Sequence, residues 1–172
     1  MAALIAPDAR FHASWLEGAA EFDGAHMDGA GAETVALAEL VAPAAFGDFV
    51  DTLRSYALPE SPRPAGHVPC TYLWIVDGDT FIGSLAIRHE LNDFLLELGG
   101  HIGYSVRPSA RRLGHAATAL KDALSLAAGL GIDRILVTCD EDNVGSRATI
   151  EKNGGVHEDN RGGKRRYWID AR

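Results

Sequence analysis

The sequence holds only two cysteines, Cys70 and Cys139, and nowhere spaces cysteine and histidine as metal ligands, which excludes a disulfide framework and a structural zinc site. It lacks any run of about eighteen uninterrupted apolar residues, so no membrane span is expected. Residues 1–7 carry no basic side chain and hence no start of a secretory signal, and a cytoplasmic protein is the expectation. Basic side chains are scarce: 16 Lys and Arg stand against 24 Asp and Glu, a net charge of −8 that makes nucleic acid a poor partner. The deficit is local, because residues 1–106 hold 4 basic against 15 acidic side chains and residues 107–172 hold 12 against 9. Either this is solubilising surface charge, or the basic half grips an anionic ligand and the acidic half attracts a cationic one such as an amine.

What is present, 172 residues of which 47% are hydrophobic, is enough to enclose one core in one domain, residues 1–172. Residues 4–6 read as a short strand, and residues 8–22 place Phe11, Trp15, Ala19 and Phe22 at helical spacing behind Asp8 as N-cap. Residues 24–31, rich in glycine and alanine, are expected to be a mobile loop, with residues 33–40 and 46–56 helical. Pro59, Pro62 and Pro64 enforce an irregular connection. Apolar runs over 72–76 and 81–87 flank Asp77-Gly78-Asp79, a tight hairpin turn. Residues 101–106 form the next strand, ended by Arg107-Pro108. Ser109 is the expected cap of a helix whose Leu113, Ala117, Leu120, Leu124 and Ala127 share one face and whose stop is Gly129 and Gly131. A strand over 135–139, a helix over 144–153, and a hairpin pairing 156–158 with 166–169 across Arg161-Gly162-Gly163 complete an α+β mixed sheet.

The most informative stretch is Arg111-Arg112-Leu113-Gly114-His115-Ala116, between a strand and an amphipathic helix. A helix start offers free backbone N–H groups and the positive end of the macrodipole, and small residues at Gly114 and Ala116 let a diphosphate reach the main chain. Alone, a basic helix start with one glycine is common. Here it is followed by a second strand ending at Cys139, then Asn143, Ser146 and Asn153-Gly154-Gly155.

That order, over residues 71 to 170, resembles the GNAT family of N-acetyltransferases. The family's Arg or Gln, two residues, Gly, one residue, Gly or Ala motif is matched by Arg111, Gly114 and Ala116, and its following Asn with a small residue three later by Asn143 and Ser146. More narrowly, Ile87-Arg88-His89, Leu91-Asn92, Gly99-Gly100-His101-Ile102-Gly103-Tyr104, residues 150–155 and Arg166-Tyr167-Trp168 are similar to a subgroup of bacterial acetyltransferases. The resemblance implies a single α+β domain whose central, mostly antiparallel sheet has six to seven strands, splayed at its centre and flanked by helices. It implies acetyl transfer from acetyl-CoA to a primary amine by direct transfer in a ternary complex, without a metal. It assigns cofactor contacts to Ser105, Val106, Arg111, Arg112, Leu113, Gly114, His115, Ala116, Asn143 and Ser146. Residues 71–170 become the core with the cofactor site and residues 1–70 the acceptor side, with Trp15, Glu21 and Phe22 as weak specificity candidates. A strand-edge homodimer is common in the family.

Transfer to an amine needs a group to take its proton, and the expected bases are His101 and His89, with Glu90 behind them. Glu90 and Glu97 read equally as solvated loop charges. The tyrosine that protonates the departing thiolate in the family is replaced here by Ile150. Tyr104 is the expected substitute, with Tyr167 and Ser146 as others, or the thiolate leaves without an acid. Cys139 reads as an inert buried thiol. A chain that keeps the cradle but has lost its proton-transfer groups would instead be a non-catalytic acyl-CoA sensor or partner-binding module.

Overall fold

The structure is a computed structural model that describes residues 1–171; Arg172, the last residue of the expected domain, lies outside the described residues. The strands are β1 (Ala3–Ile5), β2 (Cys70–Asp77), β3 (Thr80–Arg88), β4 (Ile102–Val106), β5 (Arg134–Asp140), β6 (Val156–Arg161) and β7 (Lys164–Asp170), and the helices are α1 (His12–Ala20), α2 (Pro43–Ser55), α3 (His115–Gly129) and α4 (Val144–Lys152). All seven strands form one sheet in the order β1-β2-β3-β4-β5-β7-β6. Every pairing is antiparallel except that of β4 with β5. This is the single α+β domain that the family resemblance implies.

Strand alternation sets the layers, because successive side chains point to opposite faces. Leu73 and Ile75 of β2 and Leu85 and Ile87 of β3 join the core that includes Ala119, Leu120, Ala123 and Ala127 of α3 and Ile150 of α4. Trp74, Val76 and Phe81 join the opposite core with Phe11, Trp15 and the α2 residues Phe46, Phe49, Val50 and Leu53. Trp15 stacks at tilted angles on Phe46, Phe49 and Phe81, with ring centroids 5.5 to 6.2 Å apart. That aromatic cluster fixes α1 and α2 on one face, since aromatic pairs contribute beyond their buried area.

Several expected elements differ. Residues 33–40 form no α-helix: a turn precedes a 3-10 helix over Leu37–Val41, bounded by extended Ala36 and Ala42. Pro43 accounts for the second boundary, because it drives its predecessor out of the helical region and opens α2 at its first position. Asp8 caps a 3-10 turn, Ala9–Phe11, rather than α1 itself. Ser109 does not cap α3, which starts six residues later at His115 behind Gly114 as N-cap, and Leu113 lies outside the helix and is 69% exposed. The loop expected to be mobile is packed down instead, with Met27 and Ala30 buried. Its Gly29, at φ +74, crosses the sheet so closely that a Cβ there would lie 2.4 Å from the carbonyl oxygen of Gly103. Only glycine combines that backbone hand with that approach.

Candidate active site

β4 and β5 share a single register pair, Ile102 with Val137, and diverge beyond it. Each is held on its other side, β4 by five pairs with β3 and β5 by seven with β7, so the sheet opens at its centre without losing either strand. Arg88 donates its main-chain N–H to His101 O and Arg107 donates its own to Ile82 O, at 2.7 and 2.8 Å. Ladder bonds alternate in direction along a strand, so Tyr104 and Val106 turn their main-chain N–H and C=O into the gap. A cavity of about 1180 Å³ runs through this opening.

One arm of the cavity ends at the start of α3. Arg112 and Gly114 are left-handed, at φ 64 and 84, which curls the chain into a concave run of main-chain donors. The first intrahelical bond is Thr118 N–H to Gly114 O, so the N–H groups of His115, Ala116 and Ala117 precede the helical ladder. Arg111 donates Nε–H to Val106 O at 3.0 Å and lies over the Phe22 ring. Ser105, Val106, Arg111, Arg112, Gly114, His115, Ala116, Asn143 and Ser146 all line the cavity. Leu113, the remaining expected contact, does not. The Asn143 side chain accepts from Ser146 N–H at 3.0 Å, capping α4, and leaves its Nδ2 open.

The loop into this arm is tied to the end of α1. The Glu21 carboxylate accepts from Arg107 Nε at 2.9 Å and from both the N–H and the hydroxyl of Ser109. The Arg107 guanidinium, ahead of Ser109, holds the Glu21 pKa down to about 2. Ser109 and Glu21 therefore position the cradle loop, and Trp15, expected as a specificity candidate, is core.

At the centre of the gap the Tyr104 hydroxyl lies 2.7 Å from Ser146 Oγ. Burial pushes its pKa up to about 12, so it carries its proton at neutral pH. Ile150, where the family places its tyrosine, is fully buried in the core one turn further along α4. Tyr167 is also fully buried and is bonded to Glu151 and Arg165. Cys139 lines the cavity with its thiol pKa raised, chiefly by burial.

The structure places both expected bases outside the lining of the cavity. His101 is buried and does not line the cavity, and its Nδ1 accepts the main-chain N–H of Leu136 at 2.9 Å. That bond occupies the ring's lone pair and puts the proton on Nε2, so His101 joins β4 to β5 where they part. Burial first, then Arg88, lowers its pKa from 6.5 to about 4. The unfolded chain therefore binds the extra proton between these values, and the stabilisation is complete above about pH 6.5 and lost as pH falls toward 4. We expect His101→Ala to cost about 3 kcal/mol, mostly from the orphaned Leu136 N–H and the void. Denaturation of the variant at pH 7 and pH 4.5 should show a smaller acid loss than wild type; an equal loss would contradict this role. His89 is likewise outside the cavity, with Nε2 2.7 Å from Thr71 Oγ1. Glu97 pairs with Arg161 at 2.6 Å.

The sequence reading assigned residues 1–70 to the acceptor side but singled out none of the residues that line the second arm. It is lined by Glu33, Arg63, His67, Tyr72, Arg88 and Asn92, and His26 and Asp28 stand beside the gap. His26 Nε2 lies 3.0 Å from the Asp28 carboxylate, and the Asp28 carbonyl accepts from Ser105 Oγ at 2.8 Å. Arg88 and Asn92 entered the sequence reading only as part of the subgroup resemblance; the loop contributions come from tertiary packing. Among the described residues no group of three or more His, Cys, Asp or Glu is placed to hold a metal ion, and no helix is long and apolar enough to cross a membrane.

No curated protein matches the sequence. Solved structures do match its fold. Mycobacterium smegmatis RimJ, in complex with CoA-disulfide, aligns with a TM-score of 0.70 at 21% identity over 99% of this chain and 82% of that one. The Thermoplasma acidophilum PaiA N-acetyltransferase in complex with coenzyme A aligns at 0.61 and 14% identity over 99% of both chains. An acetyltransferase of Salmonella typhimurium that modifies the N-terminal serine of a 50S ribosomal subunit protein aligns at 0.64 and 15% identity, over 98% of this chain and 94% of that one. Residues 42–156 match the acetyltransferase (GNAT) domain, which spans both the splayed strands and the helix start described above. The chain thus belongs to the GNAT family of acetyltransferases and is an N-acetyltransferase that uses acetyl-CoA as cosubstrate.

Proposed function

We propose that the protein transfers the acetyl group directly from acetyl-CoA to a primary amine that enters by the second arm, with both substrates bound in one cavity. The observation that carries the reading is a continuous opening, through the β4–β5 gap, between a helix start with free main-chain donors and a polar arm on the other face. The pyrophosphate lies against residues 111–116, and the pantetheine arm pairs with the Tyr104 and Val106 main chain. The amine nitrogen attacks the thioester carbonyl carbon; a C–N bond forms, the C–S bond breaks, and the sulfur leaves as thiolate. Tyr104 protonates the thiolate, a part supported by its place in the gap and by the proton it carries at neutral pH. His26, oriented by Asp28, accepts the amine proton in place of the histidines expected from sequence.

Amine-dependent release of free CoA thiol tests the assignment of the base. His26→Ala should lower kcat by about tenfold or more, less than the 10²- to 10⁴-fold of an enclosed general base because the ring is exposed. His101→Ala, assayed below its melting temperature, should keep most of its turnover. The reverse pattern would return the base to His101.

A further inference from the structure

We propose that the amine acceptor carries its own anionic group, a carboxylate or a phosphate, and that Arg88 holds it with Arg63 alongside. The inference rests on the acetyl-transfer reading and narrows its substrate class. Residues 1–106 hold four basic side chains against fifteen acidic ones, yet two of the four, Arg63 and Arg88, face the acceptor arm with no carboxylate of the described residues within ion-pair distance. Arg88 is half-buried and gives Nη1 to the carbonyls of Gly99 and Gly100 at 2.9 and 3.3 Å, while its Nε and Nη2 donate to nothing among the described residues. Arg63 bonds only the carbonyls of Leu58, Pro59 and Ser61, and its Nε is buried without a partner. Carbonyl dipoles position a guanidinium but do not neutralise it, and charges withdrawn from water are ordinarily paired. A planar fork with unused N–H groups matches a carboxylate or phosphate oxygen pair.

The position of Arg88 constrains the ligand further. A Cβ added to Gly103 would lie 3.1 Å from Arg88 Nη2 and 3.3 Å from Nη1, so the guanidinium covers the β4 main chain one residue beyond the last β4–β5 pair. The anion therefore sits beside the acyl-transfer point, and only a few bonds separate it from the reacting nitrogen. Glu33, which also lines the cavity, acts electrostatically on the same Cys70 and Tyr72 side chains as Arg88 does. The arm thus presents opposite charges to an amine that is itself bipolar.

Two matched pairs test this: β-alanine against propylamine, and O-phosphoethanolamine against ethanolamine, each as acceptor with acetyl-CoA in a thiol-release assay. The anionic member of at least one pair should exceed its neutral partner by about tenfold or more in kcat/KM, and which pair does so separates carboxylate from phosphate. Arg88→Gln should bring that ratio close to one, with Arg88→Lys between, and Arg63→Gln should lower it if Arg88→Gln does not fold. Equal or better turnover of both neutral amines, or a ratio unchanged in Arg88→Gln and Arg63→Gln, overturns the proposal. If none of the four is acetylated, the readout is the melting temperature of the CoA-saturated protein. An upward shift with either anionic amine that is absent in Arg88→Gln supports the site, and no shift with either overturns it. Failure of the acetyl-transfer reading looks different: acetyl-CoA then leaves the melting temperature unmoved, or raises it without amine-dependent thiol release from any acceptor.

Discussion

Gly114→Glu should weaken acetyl-CoA binding by about a thousandfold while leaving the protein folded. A carboxylate about 4 Å from a phosphate in a site of intermediate dielectric costs about 4 kcal/mol, and the substitution puts it at the mouth of the α3 donors. Gly114 is exposed and a Cβ there meets nothing within 4 Å, so crowding of the protein does not contribute. Its φ of +84 does contribute, because a side chain in the left-handed region costs about 1 kcal/mol. Gly114→Ala separates the two effects: it carries the same backbone strain without the charge, and should lose about 1 kcal/mol of stability and only a small part of the affinity. Titration calorimetry of acetyl-CoA into wild type and both variants measures the difference. Comparable affinity in Gly114→Ala and Gly114→Glu would mean that no diphosphate lies there.

Tyr104→Phe should lower kcat by about a hundredfold with little change in acetyl-CoA affinity. The hydroxyl is the only part removed, and general acids contribute 10²- to 10⁴-fold. Its partner Ser146 Oγ remains exposed to the gap, so the variant retains the ring's packing and loses one hydrogen bond of ordinary strength, about 1 kcal/mol. A stability loss alone would not move kcat measured well below the melting temperature. The distinguishing readout is the split between kcat and affinity: kcat should fall while acetyl-CoA affinity holds, a pattern that loss of packing alone does not give. Thiol release at wild-type rates in Tyr104→Phe would instead indicate that the thiolate departs unassisted.

The parts of this architecture that depend on local chemistry were readable from residue order. The hairpin at Asp77-Gly78-Asp79, the strand stopped by Arg107-Pro108 and the Asn143 cap follow from turn chemistry and capping, which act over a few residues. The start of α3 was readable for the same reason, since the helix start and its left-handed Gly114 lie within one short stretch. Two failures have the opposite cause. Residues 33–40 carry helical periodicity, but the loop must cross the sheet at Gly29 and reach Pro43, and tertiary geometry overrides propensity. His101 sits on the expected strand with the better intrinsic pKa for a base, yet what its Nδ1 meets is a main-chain N–H thirty-five residues away. Arg88 was visible as a residue and silent as a site, because the absence of a carboxylate partner is a property of the folded chain alone.

The most direct measurement of the central claim is the stoichiometry of a reaction: CoA thiol released and N-acetylated amine formed, counted together with the wild-type protein, acetyl-CoA and the four-amine panel. Direct transfer predicts amine-dependent thiol release, with one acetylated amine for every thiol. An upward shift of melting temperature with acetyl-CoA, accompanied by no amine-dependent thiol release from any acceptor, would contradict it and leave a protein that binds the acyl-CoA without using it.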